Sequence, residues 1–249
     1  MEEFIYDVLN QDRWWWTVGR RSLIRALIGR HVGSENQLKV LDIGCGTGTN
    51  LEVLRDYGTV HGMDVSPLAL SYCHDRGIDR ICRGDAAHLP FQDNSFDVII
   101  GVDVLEHLED DGAALREIHR VCKPEALLIA VVPAFQSLWS QRDEQHHHKR
   151  RYRIRQLRKR MTRAGFAVRR MTYANLLLPL PLFLLAKLER LTGRRLNRNA
   201  SFGLLPWPIN RPLGWMMQLE AAWLRYADLP FGSSIACVAE TPRGAQRNS

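Results

Sequence analysis

Short apolar runs alternate with helix-patterned segments along residues 38–134. Five of these runs predict strands, because each is brief, rich in aliphatic residues and bounded by glycine or polar turns. The predicted strands are Lys39–Ile43, Val60–Val65, Arg80–Arg83, Phe96–Val102 and Leu127–Val132. Nearly continuous apolar strands separated by helices are typical of a parallel sheet that is covered on both faces.

The intervening segments carry helix signals. Thr49–Tyr57 has leucines at helical spacing, Ser66 followed by Pro67 predicts a capped helix start, and Asp110–Cys122 is amphipathic. The pattern therefore predicts a doubly wound α/β sheet. Ligands of such sheets bind beyond the carboxyl ends of the strands, so functional residues are expected just after each strand.

The second half of the chain changes character. Phe166–Tyr173 and Ser234–Glu240 predict two more strands, and the segment between them is too long for a simple loop, so we expect helices there. Its most apolar part, Leu176–Leu188, is too short to span a bilayer. We expect a core element or lid, or alternatively an interfacial segment or homodimer contact. The predicted units are a helical cap (1–37), an α/β core (38–174), an apolar insertion (175–232), a final strand (233–242) and a disordered tail (243–249).

Composition and charge narrow the classes of protein. The five cysteines are scattered without a CxxC pair, and the N-terminus lacks a secretory pattern, so we expect a cytoplasmic protein, alternatively peripheral to the inner membrane face. The net charge of +7 is concentrated in residues 142–170, which favours an anionic partner. RNA is less favoured than a small-molecule or lipid-linked acceptor, because Tyr152 is the one aromatic residue between Arg142 and Gly165.

The clearest chemical signal is the segment Val40-Leu-Asp-Ile-Gly-Cys-Gly-Thr-Gly48, in which three glycines follow a strand and open a helix. A turn without side chains lets the backbone approach a ligand. The third glycine comes one residue earlier than in the dinucleotide fingerprint, and Asp42 precedes the first by two. A carboxylate there attracts an ammonium group and repels a pyrophosphate. The alternative is a tight turn without a ligand.

Acidic residues follow the next strands in order. Asp64 can accept hydrogen bonds from ribose hydroxyls, Asp85 from the exocyclic amine of adenine, and the Ala86 N–H can donate to a ring nitrogen. Gly101–His107 follows the fourth strand, where a reacting group would lie. Each acid alone could be a helix cap or a solvated turn residue. Acids in this order after successive strands are a more specific sign of a nucleoside-binding site.

With VLDIGCGTG, DAAHLPFQDNSFDVII and VLEHL, roughly Lys39 to Ala134 resembles the class I S-adenosylmethionine-dependent methyltransferases. The resemblance implies a doubly wound seven-stranded sheet, mostly parallel with the last strand antiparallel, and S-adenosyl-L-methionine as cofactor. The cofactor-binding residues expected from it are Asp42, Gly44, Gly46, Gly48, Asp64, Val65, Asp85, Ala86 and Val102.

Two other segments resemble a subset of these enzymes. Trp14–Arg21 would close over the cofactor, with Arg20 pairing with its carboxylate; alternatively it is an amphipathic helix packed on the sheet. Asp143–Tyr152 would line the acceptor pocket, with Asp143, His148, Arg151 and Tyr152 nearest the substrate; alternatively it is a solvated basic helix.

Methyl transfer from a sulfonium is an in-line displacement, so the protein must align the acceptor, exclude water and remove a proton where needed. His107, His148 and Tyr152 are the predicted catalytic residues. Asp103, Glu106 and His107 could instead bind a metal, but we expect none. We predict O- or N-methylation of a small-molecule or lipid-linked acceptor. The alternatives are RNA methylation through residues 142–170 and a non-catalytic binding protein.

Overall fold

The computed structural model describes residues 6–7, 10–32, 37–176, 187 and 207–243. Within them, seven strands form one sheet. They are β1 (Leu38–Ile43), β2 (Gly58–Asp64), β3 (Ile81–Arg83), β4 (Phe96–Val102), β5 (Cys122–Pro133), β6 (Ala167–Ala174) and β7 (Ser234–Glu240).

The strand order is β3-β2-β1-β4-β5-β7-β6. β1 to β5 pair in parallel, and β7 lies antiparallel between β5 and β6, with Val131 opposite Ala236 and Thr172 opposite the same residue. The predicted fold is confirmed: six strands run in one direction and the last is inserted in reverse. From β1 the chain builds the sheet outward to β2 and β3, and it then crosses to β4 on the other side of β1. This change of direction leaves a crevice at the carboxyl ends of β1 and β4.

Helices cover both faces of the sheet. They are α1 (Trp15–Gly29), α2 (Thr49–Leu54), α3 (Pro67–Asp75), α4 (Asp111–Val121), α5 (Gln141–Gln145), α6 (Ile154–Arg163) and α7 (Trp207–Leu224). The predicted cap of α3 is present, since Ser66 Oγ accepts from the Ala69 N–H. Alternate residues of each strand face opposite sides. Leu41 and Ile99 therefore pack in the core with α4 and α6, while Val40 and Val98 pack with α1 to α3.

Two features of the second half differ from the sequence pattern. β5 begins at Cys122, earlier than predicted, because Cys122 pairs with Phe96 across a bulge before the apolar run at Leu127. The apolar insertion contains α7, in line with the helices predicted there, but residues 177–186 and 188–206 lie outside the described residues, as does the predicted tail (243–249) except for Arg243. No described helix is both long and apolar enough to cross a bilayer.

Candidate functional site

A cavity of about 750 Å³ opens at the carboxyl ends of β1, β2 and β4. Its walls come from the loops after these strands, from the first turns of α1 and from residues 140–151. Its volume is in the range of small-ligand sites, and its position is where doubly wound sheets bind ligands. The strand topology therefore collects residues that are distant along the chain at one place.

The glycine loop forms one wall. Gly44, Gly46 and Gly48 have φ values of +67°, +54° and +79°, which L side chains rarely adopt. A Cβ on Gly46 would meet no atom within 4 Å, because this position opens into the cavity. A Cβ on Gly48 would lie 2.8 Å from Ile78 Cδ1, and Gly48 does not line the cavity. Gly44 and Gly46 can therefore contact a ligand, whereas Gly48 shapes the turn into α2, contrary to its predicted contact.

Asp64 is fixed at the cavity wall by the backbone. Its Oδ2 accepts from the Gly46 N–H and its Oδ1 from the Ser66 N–H, both at 2.9 Å. A carboxylate has about four acceptor positions, so each oxygen keeps capacity for a ligand donor. This arrangement suits a pair of neighbouring hydroxyl groups, as the position after β2 predicts.

Asp42 is fully buried, and neither of its carboxylate oxygens has a hydrogen-bond partner. Burial, assisted by the charge of Asp64 and opposed by Arg20, raises the pKa of Asp42 to about 8. The side chain lies behind the cavity wall and is not part of its lining, so the contact of Asp42 with a ligand stays a prediction. An unpaired buried carboxyl group next to this loop nevertheless fits a cationic ligand better than an anionic one.

The cavity wall formed by the loops after β3 and β4 contains the residues that are predicted to bind the adenine ring. Asp85 Oδ1 accepts from the Ala87 N–H at 2.9 Å, which holds this turn, and Ala86 lines the cavity beside it. Val65 is 65% exposed and Val102 is buried, and both line the cavity. An exposed valine at a cavity wall gives apolar surface on which a ring can pack.

Arg20 and Asp103 form an ion pair across the cavity. Burial tends to raise the pKa of Asp103, but the Arg20 guanidinium outweighs it and holds that pKa below its usual range. Arg20 also lies 4.8 Å from the ring centroid of Trp16. Trp15 and Trp16 line the cavity from the start of α1, while Ile24 packs α1 on the sheet. The N-terminal segment thus packs on the sheet and also reaches the site.

His148 is oriented by a buried network. Its Nδ1 lies 2.9 Å from Asp143 Oδ1, and Arg151 binds the same carboxylate through Nε at 2.7 Å and a terminal nitrogen at 2.9 Å. Burial alone would raise the pKa of Asp143, but hydrogen bonds from His148 and Arg151 lower it strongly. Since an ionised carboxylate can only accept, Nδ1 carries a proton, and in the neutral form of the ring Nε2 is the acceptor nitrogen.

His107 meets His148 at this end of the cavity. The ring centroids are 4.7 Å apart, and burial lowers the pKa of His107. The Lys149 N–H donates to the Glu106 carbonyl at 2.7 Å, which ties the two segments together. Ligand atoms of Glu106, His107 and His148 lie within 4.8 Å of one another, so these residues could hold a cation. Asp103, considered with them from the sequence, is paired with Arg20 instead.

Tyr152 is placed away from the cavity, which corrects its predicted role next to the substrate. Its side chain is buried, and its hydroxyl lies 2.7 Å from Asp111 Oδ2 and 3.1 Å from the Leu105 carbonyl. Burial and the Asp111 carboxylate raise the pKa of the phenol. Tyr152 therefore joins structural elements and does not face a ligand.

The sequence pattern of the basic stretch did not single out Arg142 or His146 as cavity residues. Arg142 lines the cavity with its guanidinium 5.7 Å from the Trp16 ring centroid, and burial lowers its pKa. His146 also lines the cavity, and burial together with Arg142 lowers its pKa to about 4. Nothing in a run of basic residues separates these two from exposed neighbours such as Arg155.

Comparison with known proteins gives the class of this domain. Residues 41–130 match the family model described as a methyltransferase domain. A norajmaline N-methyltransferase of Rauvolfia serpentina is 32% identical over 114 residues, covering 42% of this chain and 39% of that protein. A demethylmenaquinone methyltransferase of Lactiplantibacillus plantarum is 39% identical over 103 residues, covering 37% and 44%. The chain spans less than half the length of these relatives.

Solved structures extend the likeness over nearly the whole chain. One chain from the complex between the Haloferax volcanii Trm112 methyltransferase activator and the putative methyltransferase matches with a TM-score of 0.60 and 20% identity. The match covers 92% of this chain and 90% of that one. At this identity the match shows the fold alone.

Proposed function

We propose that this chain is a class I S-adenosylmethionine-dependent methyltransferase that transfers a methyl group to a hydroxyl or amine of a small-molecule or lipid-linked acceptor. The main support for the proposal is that one cavity is lined both by residues suited to bind the cofactor and by residues suited to bind and deprotonate an acceptor. We name Gly44, Gly46, Asp64 and Asp85 the cofactor side. We name Arg20, Asp103, His107, Asp143 and His148 the acceptor side.

The residues of the cofactor side fit S-adenosylmethionine. The open position at Gly46 leaves room where a side chain would stand, and Asp64 keeps acceptor capacity for ribose hydroxyls. Asp85 and the Ala86 N–H would recognise the adenine. Bound there, the cofactor supplies an electrophilic methyl carbon on a positively charged sulfur. The orphaned carboxyl group of Asp42 supports a cationic ligand, because a positive charge nearby would favour its ionised form.

The acceptor side would orient the nucleophile and take its proton. These residues would align the acceptor oxygen or nitrogen with the methyl carbon that the bound cofactor would supply. The departing acceptor proton passes to Nε2 of His148, whose other nitrogen is held by Asp143. His107 lies beside this path, and burial lowers its pKa. Arg142 would attract an anionic group on the acceptor.

The first test measures binding and transfer with one matched pair of variants. Gly46→Ala and Gly77→Ala suffer similar backbone strain, because both glycines have positive φ and open space at the Cβ position, but only Gly46 lines the cavity. Calorimetry should show that adenosylhomocysteine binds the wild type and Gly77→Ala, and binds Gly46→Ala at least about ten-fold more weakly.

Transfer is then followed with methyl-labelled S-adenosylmethionine and three acceptors: a prenylated hydroquinone, a secondary amine and an unmodified transfer RNA. We expect label in the hydroquinone or the amine. Label in the RNA alone would replace this proposal by the RNA alternative. A wild-type chain that binds no adenosylhomocysteine would contradict the assignment of the cavity.

A further inference from the structure

α7 has two unlike faces. Met217, Ala221 and Leu224 are buried, and α7 packs along α1, with Gly214 close to Trp15. Trp15 also lines the cavity, so α7 is one helix away from the site. This packing accounts for the inward face of α7 and leaves the outward face without a partner among the described residues.

The outward face is unusually apolar. We name Trp207, Arg211, Trp215, Leu219 and Trp223 the tryptophan stripe. Successive members are four residues apart, so each lies beside the next, and the row winds part of the way around α7 over about 24 Å. The four apolar members are 67%, 54%, 73% and 59% exposed, in chain order. Contiguous exposed side chains of this size mark a contact surface rather than ordinary solvent-facing residues.

The charge of the stripe is positive. Arg211 lies 5.1 Å from the Trp207 ring centroid and 4.8 Å from that of Trp215, so its guanidinium is held between two indoles. Glu220 is the one acidic residue in the sequence from 207 to 226, and its carboxylate accepts from the backbone N–H groups of Asn175 and Leu176. Within this stretch of sequence, therefore, no other carboxylate can offset Arg211.

The sequence before α7 adds charge of the same sign. Residues 187–200 contain one acid, Glu189, and a set of five basic residues, which are Lys187, Arg190, Arg194, Arg195 and Arg198. A basic segment next to a helix with an exposed Trp and Leu face is the combination that binds anionic lipid surfaces. A symmetric dimer through the same patch would instead bring like charges together.

We propose that the tryptophan stripe binds the surface of an anionic lipid bilayer, with α7 lying parallel to that surface. The indoles and Leu219 enter the headgroup boundary, and Arg211 pairs with lipid phosphates. The proposal does not depend on methyl transfer, since it rests on α7 and the basic segment alone.

The test is sedimentation of the full chain with phosphatidylglycerol vesicles, compared with vesicles of phosphatidylcholine alone. Wild-type chain should bind the anionic vesicles more tightly, and added salt should weaken the binding. The double variant Trp215→Ala with Trp223→Ala should lose on the order of ten-fold or more in vesicle affinity. Both indoles are exposed, so its melting temperature should stay close to that of the wild type.

Charge is tested separately with a matched pair. Arg211→Gln should weaken binding to the anionic vesicles by about five-fold, while Arg155→Gln, an equal charge change at an exposed position of α6, should have a smaller effect. Equal losses for the two variants would mean that net charge alone causes binding and would overturn the proposal. It would also be overturned by equal binding to both vesicle types, by no binding, or by a dimer that needs Trp215 and Trp223.

Discussion

The cofactor side and the acceptor side of the cavity are built in different ways. On the cofactor side, the Asp64 carboxylate is held by two backbone N–H groups, and its partner Gly46 is 18 residues away. On the acceptor side, the contacts join side chains to side chains: Arg20 meets Asp103 across 83 residues, and His148 and Arg151 both meet Asp143 within one short segment. One side is held by backbone N–H groups and the other by ion pairs and hydrogen bonds between side chains.

The difference matters for how each side tolerates change. Backbone donors stay in place when a neighbouring side chain is replaced, so the cofactor side should respond mainly to changes at the contact residues. A network of buried ion pairs fails when one member is removed, because the remaining charge is left without a partner. Substitutions on the two sides should therefore separate binding of adenosylhomocysteine from turnover.

The largest expected effect is on turnover. His148→Gln removes the proposed proton acceptor, and Asp143→Asn can place the ring proton on the wrong nitrogen, so each should lower kcat by about 10²- to 10⁴-fold. Adenosylhomocysteine affinity should change little. His74→Gln, at an exposed position on α3, is the control. A large loss of adenosylhomocysteine affinity in His148→Gln would contradict the proposal that the two sides have separate roles in cofactor binding and turnover.

The complementary change is Asp64→Ala. It removes the ribose contacts and leaves the Gly46 and Ser66 N–H groups without their acceptor, so adenosylhomocysteine affinity should fall by roughly 30- to 1000-fold. Calorimetry measures the loss, and Asp79→Ala, whose side chain is largely exposed, should bind like the wild type. Unchanged affinity in Asp64→Ala would show that the cofactor lies elsewhere.

The same contrast explains what could be predicted from the sequence. Strand and glycine patterns are local, so the parallel doubly wound sheet and the positions of Gly46 and Asp64 at the cavity follow from the chain alone, whereas the reversed last strand was implied by the family resemblance. The acceptor side depends on which residues tertiary packing brings together. Arg142 and Tyr152 belong to one basic stretch, yet Arg142 reaches the cavity and Tyr152 bonds to Asp111 in the core. No periodic pattern in the sequence distinguishes the residue that reaches the cavity from the one that is buried in the core.

Asp42, next to the cofactor side, makes the unfolding free energy of the chain depend on pH. Its pKa rises from 3.8 to about 8 on folding, so between these values the folded chain binds more protons than the unfolded chain. Its contribution to stability is therefore lost as the pH rises through this window. Asp42→Asn should flatten the fall in unfolding free energy between pH 5 and about pH 8, measured by urea denaturation.

Glu106 contributes in the same direction, because burial raises its pKa as well, so the slope should decrease in Asp42→Asn without disappearing. Asp56→Asn, at an exposed position, should keep the wild-type slope. A slope that is identical in Asp42→Asn and the wild type would mean that Asp42 is already ionised in the folded chain and has a partner.

The smallest expected effect is that of Tyr152→Phe. The hydroxyl contacts Asp111, which also pairs with Arg150 and Arg160, so its loss should cost about 1 kcal/mol of unfolding free energy without leaving Asp111 unpaired. Turnover should not change, because the ring does not line the cavity. His148→Gln, assayed in parallel, shows the loss expected of a residue at the reaction. A comparable drop in kcat for Tyr152→Phe would mean that the Tyr152 hydroxyl acts on the acceptor, and Tyr152 would then belong to the acceptor side of the cavity and not to the core alone.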